Sequence, residues 1–269
     1  MKKIIILGST GMLGNMLLNH LSSTNKYEIV SSVRNRDFEN DNNFIFEPVL
    51  EDTVCELPYA DYYINCIGII KPHMLKNIED SIYLNSIFPR ELADECNRRG
   101  SKLIHITTDC VFSGKDGNYD EDSDHDALDD YGKSKSLGEP ENCMVLRTSI
   151  IGPEIHKNAS LMSWVQAQGG KEINGFTNHL WNGITTLQYA KVCDQIISND
   201  WYDEDLYHIH SPSIVNKFEL VSMINDRYIV GANITPTEAS AAVDRTMSTK
   251  KDLCKKLNIP ELKEQIRQL

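Results

Sequence analysis

The chain has 269 residues, of which 41% are hydrophobic and 25% charged, and this composition is ordinary for a globular protein large enough to hold one α/β domain and a smaller appendage. Its formal net charge of −12 argues against binding nucleic acid through the overall field, although it permits a local basic pocket for a phosphorylated metabolite. The seven cysteines are scattered singly, which is typical of reduced thiols in a cytosol and not of a disulfide framework or a zinc site.

The first apolar run, KIIIL at 3–7, is interrupted at once by GSTG, and no small-residue cleavage site follows it. It is therefore shorter than the hydrophobic region of a signal peptide. No segment approaches the ~18 apolar residues of a transmembrane helix. We accordingly expect a cytoplasmic protein that does not bind a membrane.

Short apolar runs alternate with helical patterns through the first part of the chain. Continuous apolar runs are typical of parallel strands that helices cover on both faces. The predicted strands are 3–7, 27–33, 43–46, 62–68, 102–107 and 143–149, and the predicted helices are 12–23, 78–99 and 131–139. This βαβ order predicts an α/β fold with a doubly wound parallel Rossmann sheet.

The remaining chain is more polar, and we predict a smaller, mainly helical C-terminal substrate domain. In this division, residues 1–152 form the Rossmann domain, and a helix and strand within 184–211 return to it. Residues 153–183 and 212–269 form the substrate-binding part, which ends in the helical pattern PELKEQIRQL.

The segment GSTGMLG at 8–14 directly follows the first strand and opens a helix. Gly8 permits a tight turn, Gly11 lets the backbone approach a pyrophosphate, and Gly14 lets the helix pack close to the sheet. The helix N-terminus offers free N–H groups to a phosphate. This context predicts a dinucleotide site, whereas incidental loop glycines are the alternative.

The choice of cofactor depends on SSVRNRD at 31–37, which ends the second strand with Arg34 and Arg36 and has no carboxylate before Asp37. Arginine suits a 2′-phosphate by charge and by the geometry of its fork. We therefore expect NADPH in preference to NADH. The alternative is that both arginines are solvated loop charges.

A tyrosine and a lysine lie one helical turn apart in YGKSK, at Tyr131 and Lys135. This spacing is about as frequent as chance allows, so it indicates nothing by itself. Upstream, HITTDCVFSG at 105–114 lies at the end of a predicted parallel strand, where open α/β sheets bind their ligands. The combination of these two segments with the glycine loop is what points to an active site.

These segments resemble the extended short-chain dehydrogenase/reductase superfamily, and within it the dTDP-4-dehydrorhamnose reductase group. The resemblance runs through most of the chain and follows the order of the family. The matching segments are GSTGMLG, INCIG, LNSIFPRELADEC, ITTDCVFSG, GNYDED, YGKSKSLGE, LRTSIIGPE, YHIHS and DRTMSTKK.

The resemblance implies that Tyr131 is the general acid and that Thr108 hydrogen-bonds the reacting carbonyl oxygen. Lys135 would hold the nicotinamide ribose and lower the pKa of the Tyr131 phenol, which is about 10 in the free side chain. For Gly68 and Asn85, packing is nearly as good an account as cofactor binding. The cofactor-binding residues predicted in this way are Gly8, Thr10, Gly11, Met12, Leu13, Gly14, Arg34, Cys66, Gly68, Asn85, Tyr131 and Lys135.

The predicted substrate-binding residues are Thr108, Asp109, Ile150, Trp181 and Arg245. Arg245 matches a family arginine that could bind a diphosphate, with a solvated charge as the alternative. Trp181 could stack on a base or a sugar, although a core position explains it equally well. Ile150 stands where the rhamnose enzymes commonly have a sugar-contacting tryptophan.

The implied reaction is NADPH-dependent reduction of the 4-keto group of a nucleotide-activated 6-deoxysugar in surface polysaccharide synthesis. Dehydratases of this branch have an Asp–Glu pair after the threonine, whereas this chain has Asp109 and Cys110, which disfavours dehydration. Ile150 and the segment CIGIIKPH depart from the rhamnose enzymes, so a different 4-keto sugar, such as an amino or N-acetylated one, is an option.

Two alternatives stay open: a non-catalytic NADP-binding regulatory subunit, as in a relative that partners a methionine adenosyltransferase, and an epimerase or dehydratase on the same fold. The expected partner is a nucleotide sugar, and a homodimer is allowed. The sequence leaves the sugar, the nucleotide, the product stereochemistry and the oligomeric state open.

We expect no metal site. The acidic segment DEDSDHD at 120–126 has His125 where a calcium loop has glycine, and Tyr131 where it has glutamate. His208 and His210 would share one strand face without a third ligand.

Overall fold

The computed structural model describes residues 1–49, 53–155 and 160–269. In these ranges the strands are β1 (Lys2–Leu7), β2 (Tyr27–Val33), β3 (Asn43–Ile45), β4 (Tyr62–Asn65), β5 (Lys102–Thr108), β6 (Met144–Thr148), β7 (Ile150–Ile151), β8 (Glu172–Phe176), β9 (His179–Trp181), β10 (Ile184–Thr185), β11 (Leu206–His208), β12 (Val215–Asn216), β13 (Asn233–Thr237) and β14 (Val243–Asp244).

The helices are α1 (Met12–Ser23), α2 (Lys71–Met74), α3 (Ile78–Ile82), α4 (Phe88–Arg99), α5 (Asp130–Leu137), α6 (Leu161–Gln166), α7 (Thr186–Ser198), α8 (Lys217–Tyr228), α9 (Leu253–Leu257) and α10 (Leu262–Arg267). Short 3₁₀ turns occur at Arg36–Phe38, Thr53–Glu56 and Asp109–Val111, and Tyr83–Ile87 forms a π-helical turn.

The central sheet has the strand order β3-β2-β1-β4-β5-β6-β11, and every neighbouring pair in it is parallel. The order runs outward in both directions from the junction of β1 and β4, which is the crevice where doubly wound sheets bind ligands. The predicted doubly wound Rossmann fold is confirmed.

Helices cover both faces of this sheet, which explains why its central strands are apolar throughout. On one face, Leu17 of α1 and Ile196 of α7 pack against strand residues such as Ile6. On the other face, Phe88 and Leu92 of α4 pack against the strands. Because β1 and β4 are buried from both sides, their side chains do not alternate between polar and apolar.

The segment 78–99 is helical as predicted, but its α-helical hydrogen-bond pattern is interrupted. A π-helical turn at Tyr83–Ile87 separates α3 from α4. Pro89 explains the interruption, because proline lacks an N–H group and its ring clashes with the carbonyl group four residues earlier. That carbonyl belongs to Asn85. A π-helical turn widens the backbone at this point and accommodates the clash.

The C-terminal part contains more β structure than the predicted, mainly helical substrate domain. In the range predicted as 153–183, β8 pairs with β13, and β9 lies between β12 and β14. Such short strands have weak alternation (β8 has one buried residue in five), so their period is hard to recognise. Helices α6, α8 and α10 bury their apolar faces together beside these strands. The exact domain limits stay a prediction.

Arg147 of β6 is 1% exposed, and its guanidinium group connects several parts of the fold. Its Nε and Nη2 atoms donate to the two carboxylate oxygens of Glu139 at 3.0 and 2.5 Å. The group also donates to the Nε2 atoms of His208 and His125 at 2.8 and 2.7 Å and lies 5.2 Å above the Phe112 ring. Burial and the neighbouring cation lower the pKa of His208 to about 4, which keeps it a neutral acceptor.

We expect Arg147→Met to lower the free energy of unfolding by about 3–5 kcal/mol, because the buried carboxylate of Glu139 is left without its partner. The double variant Arg147→Met, Glu139→Gln should recover part of the lost free energy of unfolding, since it also removes the unpaired carboxylate charge of Glu139. Urea unfolding measures both, with the exposed Arg227→Met as control. A loss below about 1 kcal/mol in the single variant, or no recovery in the double variant, would contradict this account.

Candidate active site

The glycine loop joins β1 to α1 and has the backbone geometry that its sequence predicts. Gly8 adopts a φ of +85°, in the left-handed region that favours glycine. A Cβ atom on Gly14 would collide with the carbonyl oxygen of Gly8, so a glycine is needed to bring α1 this close to the strand. Gly11 is exposed, and a Cβ atom there would meet only Gly8 O at 3.4 Å, so the loop is open on that side.

The N-terminus of α1 can hold an anion. The first N–H groups of a helix, here from Met12, Leu13 and Gly14, have no partner within the helix, and the Gly11 cap supplies no side-chain acceptor. Thr10 lies half-buried in the loop before them. These free donors and the positive end of the helix dipole fit a pyrophosphate group.

Arg34 lies directly after β2 and is exposed, and Arg36 begins the 3₁₀ turn beside it. The adjacent strand end is joined to the glycine loop, since Gly8 N donates to Ser32 Oγ at 3.0 Å. The arginines therefore extend from the same edge as the predicted pyrophosphate site, where a 2′-phosphate would need a cation.

The segment after β4 contains Cys66 and Gly68, and Asn85 holds it in place. The Asn85 amide group accepts from Ile69 N at 2.8 Å and donates to Ile69 O at 2.9 Å and to Ser134 Oγ at 3.2 Å. Asn85 is fully buried and both its amide ends are occupied, which favours the packing alternative for this residue.

A Cβ atom on Gly68 would lie 3.8 Å from Lys135 Nζ, so Gly68 borders the predicted site. Burial raises the pKa of the Cys66 thiol.

Helix α5 is held by its cap and by two close contacts at glycines. Asp129 caps it by accepting from Gly132 N at 2.9 Å. A Cβ atom on Gly132 would collide with the carbonyl oxygen of Cys110, and one on Gly138 would collide with that of Asn85. These contacts fix α5 against the end of β5 and against the π-helical turn, and so they fix the direction of the side chains on its inner face.

The structure brings Thr108, Tyr131 and Lys135 together at the carboxyl end of β5. Lys135 Nζ donates to Ile106 O at 3.2 Å, and burial lowers the pKa of this amine to about 8. Burial also raises the pKa of Tyr131, and a hydrogen bond with Thr108 only partly offsets that rise. The phenol therefore keeps its proton at neutral pH. The expected lowering of its pKa by Lys135 is not found: burial is the largest effect on the phenol, and Lys135 is not among the main groups that act on it.

Asp109 lies beside Thr108 and is almost fully buried. Burial raises the pKa of its carboxyl group, whereas Arg245, a hydrogen bond with Ser149 and Lys217 lower it. The thiol of Cys110 donates to Asp109 Oδ1 at 3.6 Å, and burial raises the pKa of that thiol to about 12.

The other predicted substrate residues differ in how far they face this cluster. Arg245 is fixed and not a solvated charge, since its Nε donates to Phe112 O at 3.0 Å. Trp181 is 4% exposed and packs in the core of the C-terminal part, which favours the core alternative. Ile150 is half-buried and pairs with Ile184.

Two residues of this region were missed by the sequence analysis. Lys217 begins α8, its ammonium lies 5.5 Å from the centre of the Trp181 ring, and burial lowers its pKa although Asp109 raises it. Its only sequence signal is the capping box of α8, which marks a helix start and not a site. His105 lies on β5, three residues before Thr108, and is fully buried. Burial and the Lys135 ammonium hold its pKa well below the usual value.

Several carboxylates of the acidic segment 120–126 are paired with other groups of the protein. Lys250 Nζ pairs with Asp120 at 2.9 Å and with Asp122 at 2.7 Å, and Asp126 accepts from Ser113 N at 2.6 Å. Across 1–49, 53–155 and 160–269, no group of three or more His, Cys, Asp or Glu side chains is placed to hold a metal ion. No helix in the part of the chain that the structure describes has the length and apolar character needed to cross a membrane.

Comparisons with known proteins agree with this geometry. The model of the RmlD substrate binding domain family matches residues 1–252. Methionine adenosyltransferase 2 subunit beta of Danio rerio is 25% identical over 280 residues, covering 96% of this chain and 84% of that protein. The spore coat polysaccharide biosynthesis protein SpsK of Bacillus subtilis is 26% identical over 246 residues, covering 83% of this chain and 78% of that protein. A crystal structure of dTDP-4-dehydrorhamnose reductase from Bacillus anthracis in complex with NADP shares the fold, with a TM-score of 0.80 at 21% identity over 99% of this chain and 98% of that one.

We expect Lys135→Met to stabilise the free protein at neutral pH. A pKa lowered from 10.5 to about 8 means that the folded state disfavours the ammonium by about 3 kcal/mol, and the substitution removes that penalty. Because the unfolded chain binds more protons between these two pKa values, the penalty is complete below about pH 8 and fades as the pH rises toward 10.5.

Urea unfolding of Lys135→Met as a function of pH measures this effect, with Lys133→Met, an exposed lysine of the same helix, as the matched control. The gain over the parent protein should shrink with rising pH in the first variant and not in the second. A destabilised Lys135→Met protein, or a gain that grows with pH, would show that the ammonium is better solvated than the structure indicates.

Proposed function

The chain belongs to the RmlD substrate binding domain family, and on that premise we propose that it is an NADPH-dependent reductase of the 4-keto group of a nucleotide-activated 6-deoxysugar. The observation that carries the proposal is the convergence of Thr108, Tyr131 and Lys135 at the carboxyl end of β5, with a phenol that keeps its proton. The similarity to a spore coat polysaccharide biosynthesis protein supports a role in surface polysaccharide synthesis.

In the proposed reaction, the Tyr131 phenol donates a hydrogen bond and then its proton to the carbonyl oxygen of the sugar. The hydroxyl group of Thr108 orients the same oxygen. NADPH, when bound, supplies the hydride to the carbonyl carbon. The Lys135 ammonium stabilises the phenolate that remains on Tyr131, and its buried position makes this interaction stronger than it would be in water.

The cofactor is assigned from the residues around the β1–β4 crevice. The open loop at Gly11 and the free N–H groups at the start of α1 would hold the pyrophosphate. Exposed Arg34 would bind the 2′-phosphate, which favours NADPH over NADH. Gly68 and Lys135 border the place where the nicotinamide ribose would lie.

Reduction fits the site better than dehydration. Elimination of water needs a group that protonates the leaving hydroxyl near neutral pH. At the position after Asp109, the buried thiol of Cys110 has a pKa of about 12 and is a poor proton donor.

A regulatory subunit is the second candidate, because methionine adenosyltransferase 2 subunit beta is similar to 96% of this chain. In that case the chain would bind NADP without turnover and would co-purify stoichiometrically with a larger enzyme. The complete set of Thr108, Tyr131 and Lys135 supports catalysis instead.

A panel of 4-keto nucleotide sugars, followed by the loss of NADPH absorbance, tests the proposed activity. With the substrate that is turned over, Tyr131→Phe should lower kcat by at least about 100-fold, because the general acid is lost. NADPH binding should change little, and the exposed Tyr59→Phe is the control. Full activity of Tyr131→Phe would refute the mechanism, and an inactive parent protein with a stoichiometric enzyme partner would favour the regulatory role.

Arg34→Ala should raise the KM for NADPH by about 10- to 100-fold, which corresponds to the loss of ~1.5–3 kcal/mol of charge-assisted hydrogen bonding. The KM for NADH should change little, since NADH has no 2′-phosphate. Arg36→Ala is the matched control from the same loop. Equal effects on both cofactors, or a larger effect from Arg36→Ala, would reassign the 2′-phosphate site.

A further inference from the structure

The hydroxyl group of Thr108 has one proton to donate and two lone pairs that accept. One lone pair is occupied by the N–H group of Cys110, at 3.1 Å. The Thr108 oxygen also lies 3.1 Å from Asp109 Oδ1 and is hydrogen-bonded with Tyr131. With substrate present, the sugar carbonyl oxygen needs the same proton. The protonation state of Asp109 decides where that proton points, because a carboxylate can only accept whereas a carboxylic acid can donate.

We propose that Asp109 is a positioning residue that, in its acid form, donates a hydrogen bond to Thr108 Oγ1 and thereby directs the Thr108 proton to the substrate carbonyl oxygen. Both lone pairs of the Thr108 oxygen are then filled, by Cys110 N–H and by Asp109, so its proton points to the reacting side, where Tyr131 and the substrate carbonyl oxygen lie. As a carboxylate, Asp109 instead accepts the hydrogen bond that the Thr108 hydroxyl group donates. This inference rests on the proposed function, and the proton on Asp109 comes from solvent.

The groups that face Asp109 belong to several elements. Burial raises its pKa, and this is the largest effect. The guanidinium group of Arg245 and the ammonium group of Lys217 at the start of α8 act in the opposite direction.

The remaining neighbours of Asp109 are hydrogen-bonding groups and weak acids. Ser149 after β6 and Thr108 hydrogen-bond with its carboxyl group, and the Cys110 thiol donates to it. Tyr131 on α5 is within electrostatic range. Lys217 is the cation chosen for substitution, because its ammonium lies over the Trp181 ring, 5.5 Å from the centre of that ring.

Asp109→Asn provides the sharpest test, because the asparagine amide can donate to Thr108 Oγ1 at every pH. The measurement is the ratio of kcat between Asp109→Asn and the parent enzyme as a function of pH, so that ionisations of Tyr131 and Lys135 common to both proteins cancel. Above the pKa of Asp109 the parent loses about tenfold per pH unit from this group, so the ratio should rise with pH. A ratio that is flat or falls with pH would overturn the proposal.

Lys217→Met tests the same proposal from a residue outside the hydrogen-bond chain. Loss of this cation raises the pKa of Asp109, so the ratio of kcat between Lys217→Met and the parent enzyme should also rise with pH. A ratio that falls with pH, or does not change, would contradict the proposed role. Asp116→Asn and Lys263→Met, both exposed, are the matched controls and should give ratios that do not depend on pH.

A readout without turnover separates this inference from the proposed function. Carbon-13 NMR titration of the Asp109 carboxyl group should show a pKa above that of an ordinary aspartate, and a higher one in Lys217→Met. If no 4-keto nucleotide sugar is turned over by the parent protein, the proposed function fails and the titration decides the state of Asp109. If turnover occurs but Asp109 titrates at or below the usual value in both proteins, the inference fails and the function stands.

Discussion

An ammonium group buried at the carboxyl end of a parallel strand is the constraint on which the site depends. The carbonyl oxygen of Ile106 accepts from Lys135, the carboxylate of Glu139 stabilises its charge, and the packing of α5 holds the side chain in place. The close contacts at Gly132 and Gly138 hold that helix against the β5 loop and the π-helical turn. The charge is unfavourable in the free protein, and the large core on both faces of the sheet compensates for it. An unfavourable buried charge of this kind is typical of positions that serve function and not stability.

The same constraint links a feature of the fold to the chemistry. Pro89 in α4 displaces the helical backbone near Asn85, and the resulting π-helical turn presents a carbonyl group to Gly138 and a side-chain amide to the loop after β4. One interruption in a helix therefore supports both α5 and the segment that borders Lys135. Such π-helical turns frequently occur at functional sites, and here the proline supplies the physical reason.

Much of this arrangement could be predicted from the sequence, because the decisive signals are local. The glycine loop, the apolar strands and the strand ends lie in short segments, and a parallel sheet brings the carboxyl ends of its strands to one edge. Lys217 and Arg147 could not be found in this way, since their roles depend on residues far away in the chain. The pKa of Tyr131 was expected to be lowered by Lys135, whereas burial, which no local pattern reports, raises it.

The distribution of charge shows why a net charge is a weak guide to ligands. The chain has a formal charge of −12, yet four cations lie along the proposed path of NADPH, which carries a pyrophosphate and a 2′-phosphate, and of a diphosphate-linked sugar: Arg34, Lys135, Lys217 and Arg245. Two of them, Lys135 and Lys217, have lowered pKa values because burial removes water from them. In such a setting each charge acts over a short distance but with greater strength than at the surface. The acidic surface therefore limits non-specific binding of polyanions, while the buried cations can still select a small phosphorylated ligand.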